Sequence, residues 1–331
     1  MTFLLDTTFL RQLMKAYHEP VHDVTQKELL SQKKYYGNII ELILNSKKVY
    51  TIDSPSNEVI QQDPLLTHLL NSEVLKPLKR SNLWSEVQEK CYKDFLIVCL
   101  SENNDLHLEE TPEAAGVFVL RNMNIDKNIF TNYYIAYNVG EEWNWELSKS
   151  IFHPHHSMVI ADPYLYTKNR KEGLFALLEK LKPIKLKLPY HLTLIGSDNT
   201  RNGGQNLFSR ETIEKIKIEL KGILIRNGAS EESIVETFIY NRWEYHDRYL
   251  FTNNIAVFPG VGMAMINGAK GKVIKEGTWN SERPFNRVNM VQESDVLFER
   301  LMRSKLRIFS NWCKNRSRNR LLKEYLVDNA A

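Results

Sequence analysis

Between Met1 and about Trp145 two spacings of apolar residues alternate. The stretch QKELLSQKKYYGNIIELILNS carries its apolar residues at helical intervals, with Leu29, Leu30, Ile39, Ile40, Leu42 and Ile43 forming one candidate buried face. KKVYTI, DFLIVCL and AGVFVLRN are short apolar runs of strand length. The mixture predicts an α/β or α+β region over residues 1–145. A stricter rhythm begins near Met158. MVIADPYLY predicts a strand closed by Asp-Pro, KEGLFALLEKLK an amphipathic helix, YHLTLIGSD a second strand, and FSRETIEKIKIELKGILIRNG a longer helix with Ser209 and Glu211 as cap signals. SIVETFIYN alternates as a third strand. RYLFTNNIAVFPG predicts a hairpin turning at Asn253-Asn254, a pair that tolerates positive φ. The expected fold class is α/β, with a second domain over residues 151–331 made of a mixed sheet, flanking helices and a basic helical C-terminus.

Composition narrows the class. The chain has 331 residues, 43% hydrophobic and 25% charged, which suits a globular protein of two domains and excludes a disordered or fibrous one. The net charge is only +4, but it is unevenly placed. Arg300, Arg303, Lys305, Arg307, Lys314, Arg316, Arg318, Arg320 and Lys323 crowd the last stretch. A solvated helix face, a nucleic-acid surface helped by Phe309 and Trp312, and a membrane surface are the three readings of that cluster. Cys91, Cys99 and Cys313 form no CxxC, so neither a disulfide framework nor a thiolate metal site is expected. No run approaches the length of a bilayer crossing, and Asp6 and Arg11 interrupt the apolar start. The expectation is a soluble, cytoplasmic protein.

The sharpest chemical signal is Tyr245-His246-Asp247-Arg248-Tyr249-Leu250-Phe251-Thr252-Asn253, followed by Gly260-Val261-Gly262-Met263. His246 and Arg248 are two apart on a strand and share a face, and the turn after Asn253 is expected to bring its amide back toward them. Parallel strands with crossover helices gather ligand groups at their carboxyl ends, where Asp162, Ser197-Asp198 and His246 fall.

This segment resembles the phospholipase D-like superfamily, whose motif H-x-K-x(4)-D appears here as H-x-R-x(4)-N in His246, Arg248 and Asn253. The resemblance spans about 151–274, ADPYLY included. It implies a phospholipase D-like mixed sheet and a metal-independent phosphodiesterase, most plausibly a nuclease. His246 is then the nucleophile, Arg248 the phosphate clamp and Asn253 an orienting amide. Asp162 either orients the imidazole of His246 or simply closes an Asp-Pro turn. Backbone N–H groups near Gly260 and Gly262 are the expected phosphate contacts, and Arg316, Arg318 and Arg320 the strand-binding surface. Asn in the last position also occurs in the tyrosyl-DNA phosphodiesterase branch, which uses no metal. The local HDR sequence is similar to the phospholipase D-like domain at the C-terminus of MIT-domain trafficking proteins. That likeness implies a catalytically silent module binding a partner protein, nucleic acid or a membrane surface.

Only one such motif is present, whereas these enzymes pair two histidines, so catalysis implies a homodimer with two His246 across a two-fold axis. Arg248 paired to an internal acid favours the silent module instead. Joined to an α/β region, a nuclease-like domain matches, by analogy alone, a restriction or antiphage effector. No cofactor or metal is expected. His153, His155 and His156 lack the usual zinc spacing and are read as an exposed loop, with metal binding as the alternative. FLLDTTFL is similar to the opening strand and Asp of PIN-like nucleases, which implies a divalent cation at Asp6; Asp53, Glu58 and Asp63 are further acids that spacing does not bring together.

Overall fold

The computed structural model describes residues 2–19, 25–46, 48–53, 55–77, 83–91, 97–102, 116–120, 133–166, 171–181, 189–197, 209–240, 247–260, 266–267, 272–282 and 297–323. It is a mixed α/β protein in two compact units: residues 1–130 with 285–295, and residues 131–284 with 296–331.

The first unit contains β1 (Thr2–Leu5), α1 (Thr7–His18), α2 (Gln26–Leu44), β2 (Lys48–Thr51), α3 (Asn57–Gln62), α4 (Pro64–Asn71), β3 (Leu75–Pro77), α5 (Leu83–Cys91), β4 (Ile97–Leu100) and β5 (Val117–Leu120). All five strands are parallel, in the order β3-β2-β1-β4-β5. Parallel strands need crossovers that cover both faces, which is why β1 and β4 are buried at every residue and, Thr2 apart, apolar. The chain leaves β1 in one direction for β2 and β3 and returns to its other side for β4, so the order reverses between β1 and β4. Of the face expected on α2, Ile39 and Ile43 are buried, whereas Leu30 is 62% exposed.

The second unit contains β6 (Tyr133–Tyr137), α6 (Trp145–Phe152), β7 (Ser157–Ala161), α7 (Lys171–Leu181), β8 (His191–Ser197), α8 (Arg210–Arg226), β9 (Ile234–Tyr240), β10 (Tyr249–Thr252), β11 (Ala256–Pro259), β12 (Ile266–Asn267), β13 (Lys272–Val273), β14 (Gly277–Glu282), α9 (Leu297–Trp312) and α10 (Arg320–Lys323). Its main sheet runs β6-β14-β11-β10-β7-β8-β9. β7, β8 and β9 are parallel and joined through helices; β10, β11, β14 and β6 continue the sheet antiparallel. β6 and α6 begin before residue 151 but belong to this unit. Ser209 caps α8 through the Thr212 N–H.

The middle of the sheet is packed tightly around Gly196 of β8. A Cβ there would overlap two ring carbons of Tyr166. Tyr166 cannot easily move away, being buried with its hydroxyl donated to Leu194 O at 2.9 Å. Gly196→Ala is expected to destabilise this unit by about 2 kcal/mol through overpacking, read as a shift of the denaturant midpoint at unchanged slope.

Candidate functional site

Register places the motif residues. Tyr249 pairs with Ala161 and Thr252 with Met158, so Arg248, one residue earlier, lies beside Asp162 at the carboxyl end of β7. Paired positions share a face, and Arg248 and Asp162 therefore point the same way. Their side chains meet, with Arg248 Nε 3.6 Å from Asp162 Oδ1, the carboxylate fully buried and the guanidinium side chain 21% exposed. Arg248 Nη1 donates to Gly260 O at 2.8 Å, and the guanidinium lies 5.3 Å from the centre of the Tyr164 ring. Asp162 also closes the Asp-Pro turn, accepting the Tyr164 N–H at 2.9 Å while its own carbonyl accepts the Leu165 N–H at 3.0 Å. Of the two roles expected for Asp162, the Asp-Pro turn is seen here, and the side chain it holds is not the expected imidazole. That side chain is Arg248; His246, like Gly262, lies outside the described residues.

Three other expectations are corrected. Asn253 does not converge with Arg248. β10 runs antiparallel to β7, so five residues carry the chain roughly 16 Å to the opposite end of the strand. There Asn253 is fully buried and its Oδ1 accepts the His156 N–H at 2.9 Å. Nor is the turn made by positive φ, which among described non-glycine residues occurs only at Glu73, Lys314 and Asn315. Thr252 Oγ1 makes it, accepting the N–H groups of Asn254 and Ile255 at 3.3 and 3.2 Å and donating to Asn254 Oδ1 at 2.6 Å. Asn254 Nδ2 then donates to Pro154 O at 2.6 Å. The Gly260 N–H is likewise committed, to Thr278 O at 3.2 Å, so Gly260 offers Arg248 a carbonyl rather than offering phosphate a donor.

Around Arg248 stand aromatic residues that spacing did not reveal. Tyr137 and Trp279 are buried on the same stretch of sheet. Burial pushes the Tyr137 hydroxyl up to about 12, against the opposing pull of the Arg248 charge and the Trp279 indole. On the other side Asp247 accepts from Tyr249 OH at 3.0 Å and sits 3.7 Å from Lys305 Nζ, which lies 4.9 Å from the Tyr249 ring centre.

The basic tail separates into different roles. Arg316 is exposed. Arg318 is exposed but holds Glu236, donating from Nε at 3.3 Å and from its backbone N–H at 3.0 Å. Arg320 is only 4% exposed. Its guanidinium donates to His156 Nδ1 at 2.8 Å and to Pro189 O at 2.6 Å, which removes it from any strand-binding surface. The sequence gives no sign of this, because Arg320 shares its spacing with two exposed arginines.

The histidine segment is not an exposed loop. His155 and His156 are each 1% exposed. His155 uses both ring nitrogens, with Nε2 2.7 Å from Leu181 O and Nδ1 2.7 Å from Tyr190 OH. Burial holds His153 down to about 4, helped by Lys149, and His155 down to about 3, helped by His153 and opposed by its bond to Leu181. His156 is held well below the usual range, first by burial and then by Arg320, His191 and His155. Among the described residues no three His, Cys, Asp or Glu side chains gather as metal ligands.

In the first unit Asp6 follows β1 at the point where the strand order reverses. Its Oδ1 caps α1 through the Thr8 N–H at 2.8 Å and its Oδ2 accepts Ser101 Oγ at 3.0 Å. Asp53, just beyond β2, accepts the Thr7 N–H at 3.2 Å and the Thr7 hydroxyl. Burial raises the Asp53 carboxyl, and the charge of Asp6 pushes it the same way. Adjacent parallel strands thus bring Asp6 and Asp53 together. Asp63 instead caps α4, and Glu58 accepts from Gln62 along the exposed face of α3.

Comparison with known proteins adds no family. No family model matches the chain and no curated protein does. Among solved structures it is similar to TrmBL2, an archaeal chromatin protein described as showing a novel mode of DNA binding. That likeness covers 89% of this chain and 94% of that one at 11% identity, with a TM-score of 0.24, too low to imply a shared fold. Among the described residues no helix is long and apolar enough to cross a membrane.

Proposed function

We propose that the second unit is a phospholipase D-like module that binds nucleic acid without hydrolysing it. The observation that carries this is the Arg248–Asp162 ion pair. A phosphate clamp must offer an uncompensated cation to the charge that develops on the phosphoryl oxygens. Arg248 instead spends its charge on a fully buried carboxylate and one edge of its fork on Gly260 O. The remoteness of Asn253 argues the same way. Binding falls to the outer face of α9 and the segment after it, where Arg307, Lys314 and Arg316 are exposed. Trp312 stacks on Tyr240 beside them, with ring centres 4.3 Å apart. Affinity is expected to fall steeply with salt, and Arg307→Ala or Arg316→Ala to lower the slope of log K against log salt by about 1 each. Fluorescence titration of a labelled oligonucleotide at four salt concentrations measures this. A slope near zero, or one unmoved by both substitutions, overturns the reading.

A second reading places hydrolysis in the first unit, where Asp6 and Asp53 face one another at the strand ends. A hard divalent cation bound by one or two carboxylates plus substrate phosphate offsets the burial that chiefly raises Asp53 and the lesser repulsion from Asp6. On that reading cleavage is abolished by EDTA, and Asp53→Asn lowers it by at least tenfold while leaving oligonucleotide binding unchanged. Cleavage that survives EDTA excludes it.

A further inference from the structure

After α9 the chain doubles back through Lys314 and Asn315, both left-handed at φ 51° and 53°, and residues 317–322 lie against the sheet as a strap. Ser317, Asn319, Arg320, Leu321 and Leu322 are all buried. Ser317 Oγ donates to Glu236 at 2.6 Å, and Asn319 Nδ2 reaches Met158 O, His191 O and Thr193 Oγ1 at 2.9, 3.2 and 3.0 Å. Arg320 completes the fastening with two contacts of one kind. Its Nη1 donates to His156 Nδ1 at 2.8 Å and its backbone N–H donates to His191 Nδ1 at 3.2 Å. A guanidinium and a peptide N–H can only donate, so both Nδ1 atoms must accept, and both rings must be neutral with the proton on Nε2.

We infer that this strap is a proton-released latch: protonating His156 or His191 sets an N–H against the N–H of Arg320 and expels the segment. The groups that face His156 leave a new charge there little compensation. His156 faces Arg320 from α10, His191 from β8, His155 beside it in the chain and the Ser157 hydroxyl at 3.0 Å. His191 faces the same Arg320. The strap also governs how much cationic charge the tail presents. Closed, it buries Arg320 and ties Arg318 to Glu236, leaving Arg316 exposed; open, it frees all three. The latch depends on Arg320 and the two histidines alone, and stands whether or not Arg248 binds phosphate.

Hydrogen–deuterium exchange of the full chain, corrected for the intrinsic effect of pH, tests it. The strap amides are bonded when it is closed, Arg318 to Glu236, Leu321 to Asn319 Oδ1 and Leu322 to Asn319 O. With open-state histidines titrating near 6.5, the opening constant rises about tenfold per ring between pH 7.5 and 5.5, or about a hundredfold for the pair. The strap must also exchange faster than the core of α8 at pH 7.5. Asn sets an amide oxygen where Nδ1 stood and does not titrate, so His156→Asn with His191→Asn should remove the pH dependence of the strap. Equal strap exchange at both pH values, protection identical to that of α8, or an unchanged pH dependence in the double variant overturns the latch. Imidazole ¹⁵N shifts of the wild type decide the matter if the double variant does not fold: protonated Nε2 and bare Nδ1 on both rings at pH 7.5 support it, and Nδ1–H on either refutes it.

Discussion

Lowering the pH from 7 to 5 is expected to remove roughly 6 kcal/mol from the stability of the second unit, about 2 kcal/mol for each of His153, His155 and His156. Burial lowers the affinity of all three for a proton in the folded chain, whereas the unfolded chain takes protons up near pH 6.5. The sign follows. Above 6.5 both states are neutral and stability is full; below it the unfolded state gains protons that the folded chain with its strap closed does not, and stability falls until the folded rings titrate, near 4 for His153 and 3 for His155. A loss of this size is comparable with the whole stability of an ordinary domain. Urea unfolding followed by tryptophan fluorescence reports it, since Trp143 and Trp279 are buried in this unit. His155→Gln should be less stable at pH 7, because it disturbs the bonds to Leu181 and Tyr190, yet lose about 2 kcal/mol less between the two pH values. An unfolding midpoint that does not move with pH contradicts the neutral buried rings.

Replacing Asn319 is expected to have the next largest effect. The side chain is fully buried and bridges two central parallel strands, β7 through Met158 O and β8 through His191 O and Thr193 Oγ1, while its Oδ1 accepts the Leu321 N–H at 3.0 Å. Asn319→Ala removes these bonds, strands the Leu321 N–H and leaves a small cavity, at a cost of about 3 kcal/mol. Asn319→Asp should cost more despite its matching shape, because a carboxylate oxygen then faces two carbonyl oxygens in a dry site. Asn311→Ala, on the exposed side of α9, is the control and should fall within ±0.5 kcal/mol. Equal stability of the Asn319→Ala and Asn311→Ala proteins contradicts the bridging role.

These two sites show what a sequence reader can and cannot see. Strands and helices of the second unit were legible because their patterns are clean: Met158 to Ala161 form one apolar run, the α8 pattern carries its own cap at Ser209, and Tyr249 to Pro259 set two apolar runs about a polar turn. Tertiary partnership was not legible. Arg316, Arg318 and Arg320 are equivalent by spacing, and only the left-handed pair at Lys314 and Asn315 decides that one lies in water, one holds Glu236 and one enters the sheet. His155 and His156 looked exposed because polar residues before a strand usually are; the hydrogen-bond partners that let them be buried are Leu181, Tyr190 and Arg320, all distant in sequence. The site divides in the same manner. Arg248 and Asp162 were both named, and their pairing follows from the antiparallel register of β7 and β10. That register also carries Asn253 away from Arg248, which an unbroken motif string cannot reveal. Asp53 joins Asp6 for a topological reason, adjacency of β1 and β2 in a parallel sheet.

The central claim is that the second unit binds without hydrolysing. Cleavage of labelled single- and double-stranded DNA and RNA by wild type and His246→Ala, each with and without EDTA, tests it most directly. The account predicts that the two proteins behave alike on every substrate, with any cleavage lost in EDTA. Cleavage that resists EDTA in the wild type and vanishes in His246→Ala would contradict it and make this unit a histidine-dependent phosphodiesterase.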